Sequence, residues 1–129
     1  MPTCETRERR RRARHRLPDM IEIKILKDRK TRRICVEAKG HANTAPQGQD
    51  MLCAAVSSQL LGISLAVAEM DKRRPIKGTV NIGFGEGIVD VIMATGKDFK
   101  RMENYLVPAE AVFDVYEESY PDSIRVELI

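Results

Sequence analysis

The hydrophobic period of this chain switches back and forth between two values, and that switching constrains the fold more than any single motif. Ile21, Ile23 and Ile25 alternate with Glu22, Lys24 and Leu26, and Ile34, Val36 and Ala38 repeat the pattern up to Gly40. A period of two belongs to a half-buried strand. The polar Asp28-Arg29-Lys30 between them suits a turn, so residues 20–40 read as a hairpin. From Asp50 to Met70 the period lengthens. Leu52, Ala55, Val56, Leu60, Ile63, Val67 and Met70 recur at steps of three and four, which predicts a helix. Much of the remainder is apolar or small (Ala54, Leu61, Leu65, Ala66), so this helix is expected to be largely buried. Asp50 is its N-cap candidate. Asp71-Lys72-Arg73-Arg74-Pro75 ends it, with cations in the last turn and then a proline.

The same succession then recurs. Residues 79–83 and 88–93 form a second strand pair around Gly83-Phe84-Gly85-Glu86-Gly87, a tight turn rather than a phosphate-binding loop, because a β-branched run follows it. Residues 97–119 place Phe99, Met102, Leu106, Val112, Phe113 and Tyr116 on a second amphipathic helix, with a kink or restart expected at Pro108. Tyr120-Pro121-Asp122 breaks it, and Ile124, Val126 and Leu128 form a last short strand. The order strand-strand-helix-strand-strand-helix-strand predicts an α/β two-layer sandwich, with an antiparallel or mixed sheet and both helices on one side.

A chain of 129 residues, 43% hydrophobic and 32% charged, suits one globular domain with a modest core. No apolar run is expected to approach the ~20 residues of a membrane span. Three scattered cysteines, Cys4, Cys35 and Cys53, make a poor disulfide framework and suit a reducing cytosol in which thiols stay free. Two distant histidines, His15 and His41, make a structural zinc site improbable, and no metal or organic cofactor is expected. Of the total charge of +3, residues 1–19 carry +4 and the remainder −1. That arm contains Arg9-Arg10-Arg11-Arg12 and almost nothing apolar. It reads as a disordered arm with potential to touch RNA, as a solvated tail, or as a non-native leader ahead of Met20, with the domain proper at residues 20–129.

The chemistry concentrates between Gly40 and Ser57. His41 follows a strand. Cys53 sits three residues after the cap candidate Asp50, where the positive end of a helix dipole favours thiolate and lowers the thiol pKa toward neutrality. The amides of Cys53 and Ala54 could stabilise an oxyanion there, and His41 could deprotonate the thiol and later protonate a leaving amine. Gly48 tolerates the backbone angles that a folded-back loop needs. Ala54 leaves room for a substrate backbone, and Ser57 suits a supporting bond to backbone. The plainer reading is that a cysteine on an apolar helix packs and a histidine after a strand is incidental.

Gly40-His41-Ala42, Gly48-Gln49-Asp50, Met51-Leu52 and Cys53-Ala54-Ala55-Val56-Ser57 together resemble the ribosomal-processing cysteine proteases called Prp. The element order from Met20 to Ile129 and the closing Tyr120-Pro121 before Ile124-Arg125-Val126-Glu127 resemble that family too. The loop Asn43-Thr44-Ala45-Pro46 departs from its small-aromatic sequence. The resemblance implies a cytoplasmic, homodimeric cysteine endopeptidase. It would remove the N-terminal extension of a precursor of bacterial large-subunit ribosomal protein number twenty-seven and so support ribosome assembly. Cys53 would be its nucleophile and His41 its general base, with Gly48, Asp50, Ala54 and Ser57 positioning loop or substrate. The competing reading is a non-catalytic ribosome- or RNA-associated binding module that uses the arginine arm on RNA.

Overall fold

The computed structural model describes residues 20–40, 47–83 and 86–129, apart from the side chains of residues 47–50. Expectations for the arm at residues 1–19, for His41 and for the loop to Pro46 lie outside the described residues. Two β-hairpins, each followed by a helix, and a final strand make up the chain. β1 (Ile21–Asp28) and β2 (Arg33–Lys39) precede α1 (Gln47–Asp71). β3 (Lys77–Ile82) and β4 (Gly87–Ile92) precede α2 (Gly96–Ser119), and β5 (Ile124–Leu128) closes the chain. The sheet order is β3-β4-β2-β1-β5. β5 runs parallel to β1 and the other pairs are antiparallel, so the sheet is mixed, as the element order predicts.

Alternation decides which face is covered. Ile23 pairs with Ala38, Ile25 with Val36, and Val36 in turn with Val89. The side chains of such directly opposed residues share a face. These, with Ile21, Ile34 and Val91, are buried in one core with the inner stripe of α1 (Leu52, Val56, Leu60, Ile63, Val67, Met70) and with Phe99, Met102, Leu106, Ala109 and Phe113 of α2. Both helices therefore lie on one side of the sheet.

Four expectations about the helices need correction. First, α1 is not largely buried: Met51, Leu61 and Leu65 are exposed on its outer side, because only one stripe of a straight helix can touch a sheet. Second, Met51–Asp71 is, at 21 residues, long and apolar enough by composition to cross a membrane, contrary to the expectation that no apolar run approaches that length. Its buried stripe instead packs on the sheet. Third, α2 continues through Pro108 without a restart, since proline forfeits one backbone bond while Leu106 and Ala109 on either side stay anchored in the core. Fourth, the cations do not sit in the last turn of α1, which ends at Asp71. Arg74 instead reaches across to α2.

There it meets the carboxylate of Asp98 with two bonds, Nε to Oδ2 and Nη2 to Oδ1, both 2.6 Å. The backbone amide of Asp98 donates to Thr95 Oγ1 at 3.0 Å, so Thr95 is the N-cap of α2. The Arg74 guanidinium holds the Asp98 carboxyl below its ordinary range. Because the folded value lies below that of the unfolded chain, near 3.9, the pair stabilises above that pH and the contribution fades as pH falls through the folded value. We expect Asp98→Asn to melt below wild type at pH 7, with the gap closing in acid. Melting curves at several pH values check this, and a gap that persists at pH 2 would mean that the charge is not the cause.

The opposite sheet face departs from simple alternation. Glu22, Lys24, Glu37 and Asp90 point away from the helices yet are buried. The register explains how they coexist: Lys24 lies opposite Glu37 on one side and Glu127 on the other, and Glu22 lies between Lys39 and Arg125. Arg33 grips Asp90 with two bonds of 2.9 Å. Lys39 Nζ lies 3.3 Å from Glu37 Oε1, an ion pair that lacks hydrogen-bond geometry. Cys35 is buried on this face beside Ile88 and is disulfide-bonded, which corrects the expectation that every thiol stays free.

Candidate active site

Gly40 ends the first hairpin with φ +87, in the left-handed region. A Cβ built on it would stand 2.2 Å from the Met20 carbonyl oxygen. Glycine is therefore required twice over at this point, by backbone angle and by space. The next residue is His41, so this glycine sets the direction in which the chain leaves β2.

The strand exit lies at a definite end of the sheet. β2 ends where β1 and β4 begin, since Lys39 pairs with Glu22 and Ala38 with Gly87, and β3 ends there too, with Ile82 opposite Gly87. The N-terminal half of α1 comes to the same end. Ser57 Oγ donates to the Gly83 carbonyl oxygen at 3.1 Å, and Leu60 packs within 3.1 Å of where a Cβ on Gly87 would stand. Cys53 precedes Ser57 by four residues, about 6 Å along the axis on nearly the same helical face. Its thiol is not in a disulfide, is 2% exposed, and lies within the main core cluster.

The structure shifts one local expectation. α1 starts at Gln47, so Asp50 is a helical residue rather than the N-cap, and Cys53 lies in the second turn rather than the first. Backbone amides in the second turn are engaged in the helix ladder, so those of Cys53 and Ala54 are not orphan donors awaiting an oxyanion. Gly48 also lies within the helix, and the side chain of Asp50 is outside the described residues. Ala54 is exposed beside the buried thiol, which keeps the solvent side of that turn small. Ser57 does bond backbone, but that its acceptor is Gly83, twenty-six residues on, has no signature in the sequence. Gly83 belongs to the site's frame and the sequence reading missed it.

Among the described residues, no group of three His, Cys, Asp or Glu side chains is placed to hold a metal ion. A shallow cavity of about 290 Å³ between the helices, lined by Leu65, Met70, Arg73, Arg101 and Tyr105, lies elsewhere. Leu65 is twelve residues along α1 from Cys53, roughly 18 Å, so this cavity does not serve the thiol.

A mixed five-stranded sheet with two helices on one face, and a reduced thiol near one end of it, defines a small α/β sandwich with a cysteine-centred candidate site. The sequence profile of the family described as cysteine protease Prp matches residues 20–125, and the chain belongs to that family. Solved structures share the fold. SMU.848 from Streptococcus mutans is similar with a TM-score of 0.60 at 17% identity, over 86% of this chain and 95% of that one. The essential ribosomal processing protease Prp from S. aureus, in complex with a substrate peptide, gives 0.57 at 18% identity over 85% and 100%. The same protease with a covalently linked product peptide gives 0.59 at 19% identity over 85% and 100%. Comparison with curated proteins finds no match.

Proposed function

We propose that this protein is a cytosolic, homodimeric cysteine endopeptidase. It removes the N-terminal extension of bacterial large-subunit ribosomal protein number twenty-seven. The observation that carries this reading is Cys53, a thiol in no disulfide, on the helix that meets the sheet end from which Gly40 leads to His41, in a chain of the cysteine protease Prp family. The complexes of the S. aureus protease with substrate and product peptides support a peptide-cleaving role.

In this reading the Cys53 sulfur, as thiolate, attacks the scissile carbonyl carbon. The carbon–nitrogen bond breaks as His41 gives a proton to the departing amine, leaving a thioester on Cys53. Water, deprotonated by His41, then attacks the thioester, freeing the carboxylate product and the thiol. Because the thiol is 2% exposed, whatever shields it must move before substrate reaches the sulfur. Gly48 and Asp50, in the opening turns of α1, and Ala54 and Ser57 beyond them, position loop and substrate. Intact-mass measurement tests the reading. Incubation with the extended ribosomal protein is expected to release one N-terminal peptide and leave one shortened product. An extension that stays intact at equimolar enzyme would sink the proposal.

A further inference from the structure

The two edges of the sheet are treated differently. On β5, one outer edge, the amide of Val126 donates to Glu117 Oε2 of α2 at 2.6 Å, so a carboxylate occupies the place that another strand would take. On β3, the other edge, Lys77 to Asn81 are all exposed. Blocking sheet edges is the ordinary defence against unwanted pairing, so an exposed edge with no such block among the described residues calls for a reason.

The register shows which groups that edge offers. Gly83 N donates to Glu86 O at 2.7 Å across the β3–β4 turn, which makes Gly83 and Glu86 a hydrogen-bonded pair. In an antiparallel ladder such pairs alternate with non-bonded ones. Asn81 opposite Ile88 and Thr79 opposite Asp90 are therefore bonded pairs, with their backbone groups turned toward β4. Val80 and Ile82, opposite Val89 and Gly87, turn their N–H and C=O groups outward. They lie about 7 Å apart, the repeat of an extended chain. Among the described residues no side chain bonds either amide. The far end of β3 is less regular: Gly78 has φ +139, and a Cβ there would stand 2.1 Å from the Asp90 carbonyl oxygen. The regular half leads to Gly83, which Ser57 holds one helical turn from Cys53.

We infer that the outer edge of β3, through the backbone groups of Val80 and Ile82, pairs with the extended substrate peptide as an added strand and leads it to Cys53. This rests on the protease reading above. Main-chain pairing supplies affinity and aligns the peptide, and the Ser57–Gly83 bond keeps that alignment in step with the thiol. The distance from Gly83 to the level of Cys53, about one helical turn, corresponds to roughly two residues of extended chain. The paired segment is therefore set a few residues from the scissile bond.

Amide hydrogen exchange, read by NMR on the Cys53→Ala protein with a synthetic peptide spanning the ribosomal protein's extension and cleavage site, tests this. Val80 and Ile82 are expected to slow at least tenfold on peptide binding, while Thr79 and Asn81 change little. In parallel, Val80→Pro removes one outward donor and spares the ladder. It is expected to raise KM about tenfold with kcat nearly unchanged. A peptide that binds Cys53→Ala and is cleaved by wild type, yet leaves Val80 and Ile82 unprotected, overturns the edge inference and spares the protease reading. A peptide that neither binds nor is cleaved overturns both.

Discussion

Cys53→Ala is expected to cut cleavage of the extended ribosomal protein by at least about 10³-fold, with the fold intact. In the proposed mechanism the sulfur is the atom that forms the covalent intermediate, and removing a nucleophile leaves only whatever rate binding and positioning provide. The substitution takes a buried group from the inner face of α1, so some loss of stability accompanies it, on the order of 1–2 kcal/mol for a small cavity. Cleavage is therefore compared well below the melting transition, with circular dichroism confirming the helices. Residual activity at the wild-type rate would show that the bond is broken elsewhere. Ser57 is a poor substitute nucleophile, because its hydroxyl is committed to the Gly83 carbonyl. Ser57→Ala is thus expected to leave some catalysis while loosening the β3–β4 turn.

Gly40→Ala has the second large effect, and it acts on stability and activity together. The new Cβ would lie 2.2 Å from the Met20 carbonyl oxygen at a φ of +87, so β2 cannot keep its present exit. Left-handed strain alone costs about 1–2 kcal/mol, and the clash with backbone adds to it, for a total of roughly 3 kcal/mol. For a domain of this size that lowers the melting temperature by about 10 °C. Because His41 is the next residue, the shift also moves the proposed base relative to Cys53, and a displacement near 1 Å is enough for about 10²-fold in rate. Thermal melts and a cleavage time course separate the two losses. A Gly40→Ala protein that melts and cleaves like wild type would show that β2 can leave the sheet another way.

Much of this architecture was legible because periodicity is a local property. The isoleucines of β1 and the stripe from Leu52 to Met70 announce their elements without reference to anything else, and the structure puts them in one core. The helix start is less legible. Gly48 is weakly unfavourable in a helix, by about 1 kcal/mol, which argues for a start at Asp50. That penalty is too small to stop a helix whose later turns are fixed by packing, so α1 extends back to Gln47. The shift carries Cys53 one turn inward, away from the orphan amides that the sequence reading assigned to it. The polar sheet face depends on long-range pairing too. Alternation alone puts Glu22, Lys24 and Glu37 on the face away from the helices, and it is register that lines them up with opposite charges.

The residues of the proposed site divide along the same line. His41 and Cys53 stand out in the linear chain because their types, their spacing and the motif around them are properties of a short segment. So does the glycine between β2 and His41. Which sheet end Gly40 and the start of α1 share is a long-range fact. It follows from β5 pairing parallel to β1, from β4 pairing with β2, and from a hydroxyl on α1 finding a carbonyl twenty-six residues away. The open edge of β3 and the blocked edge of β5 belong there too. An edge exists only once every other strand has found its neighbours, and no local pattern of residues specifies which strands those will be.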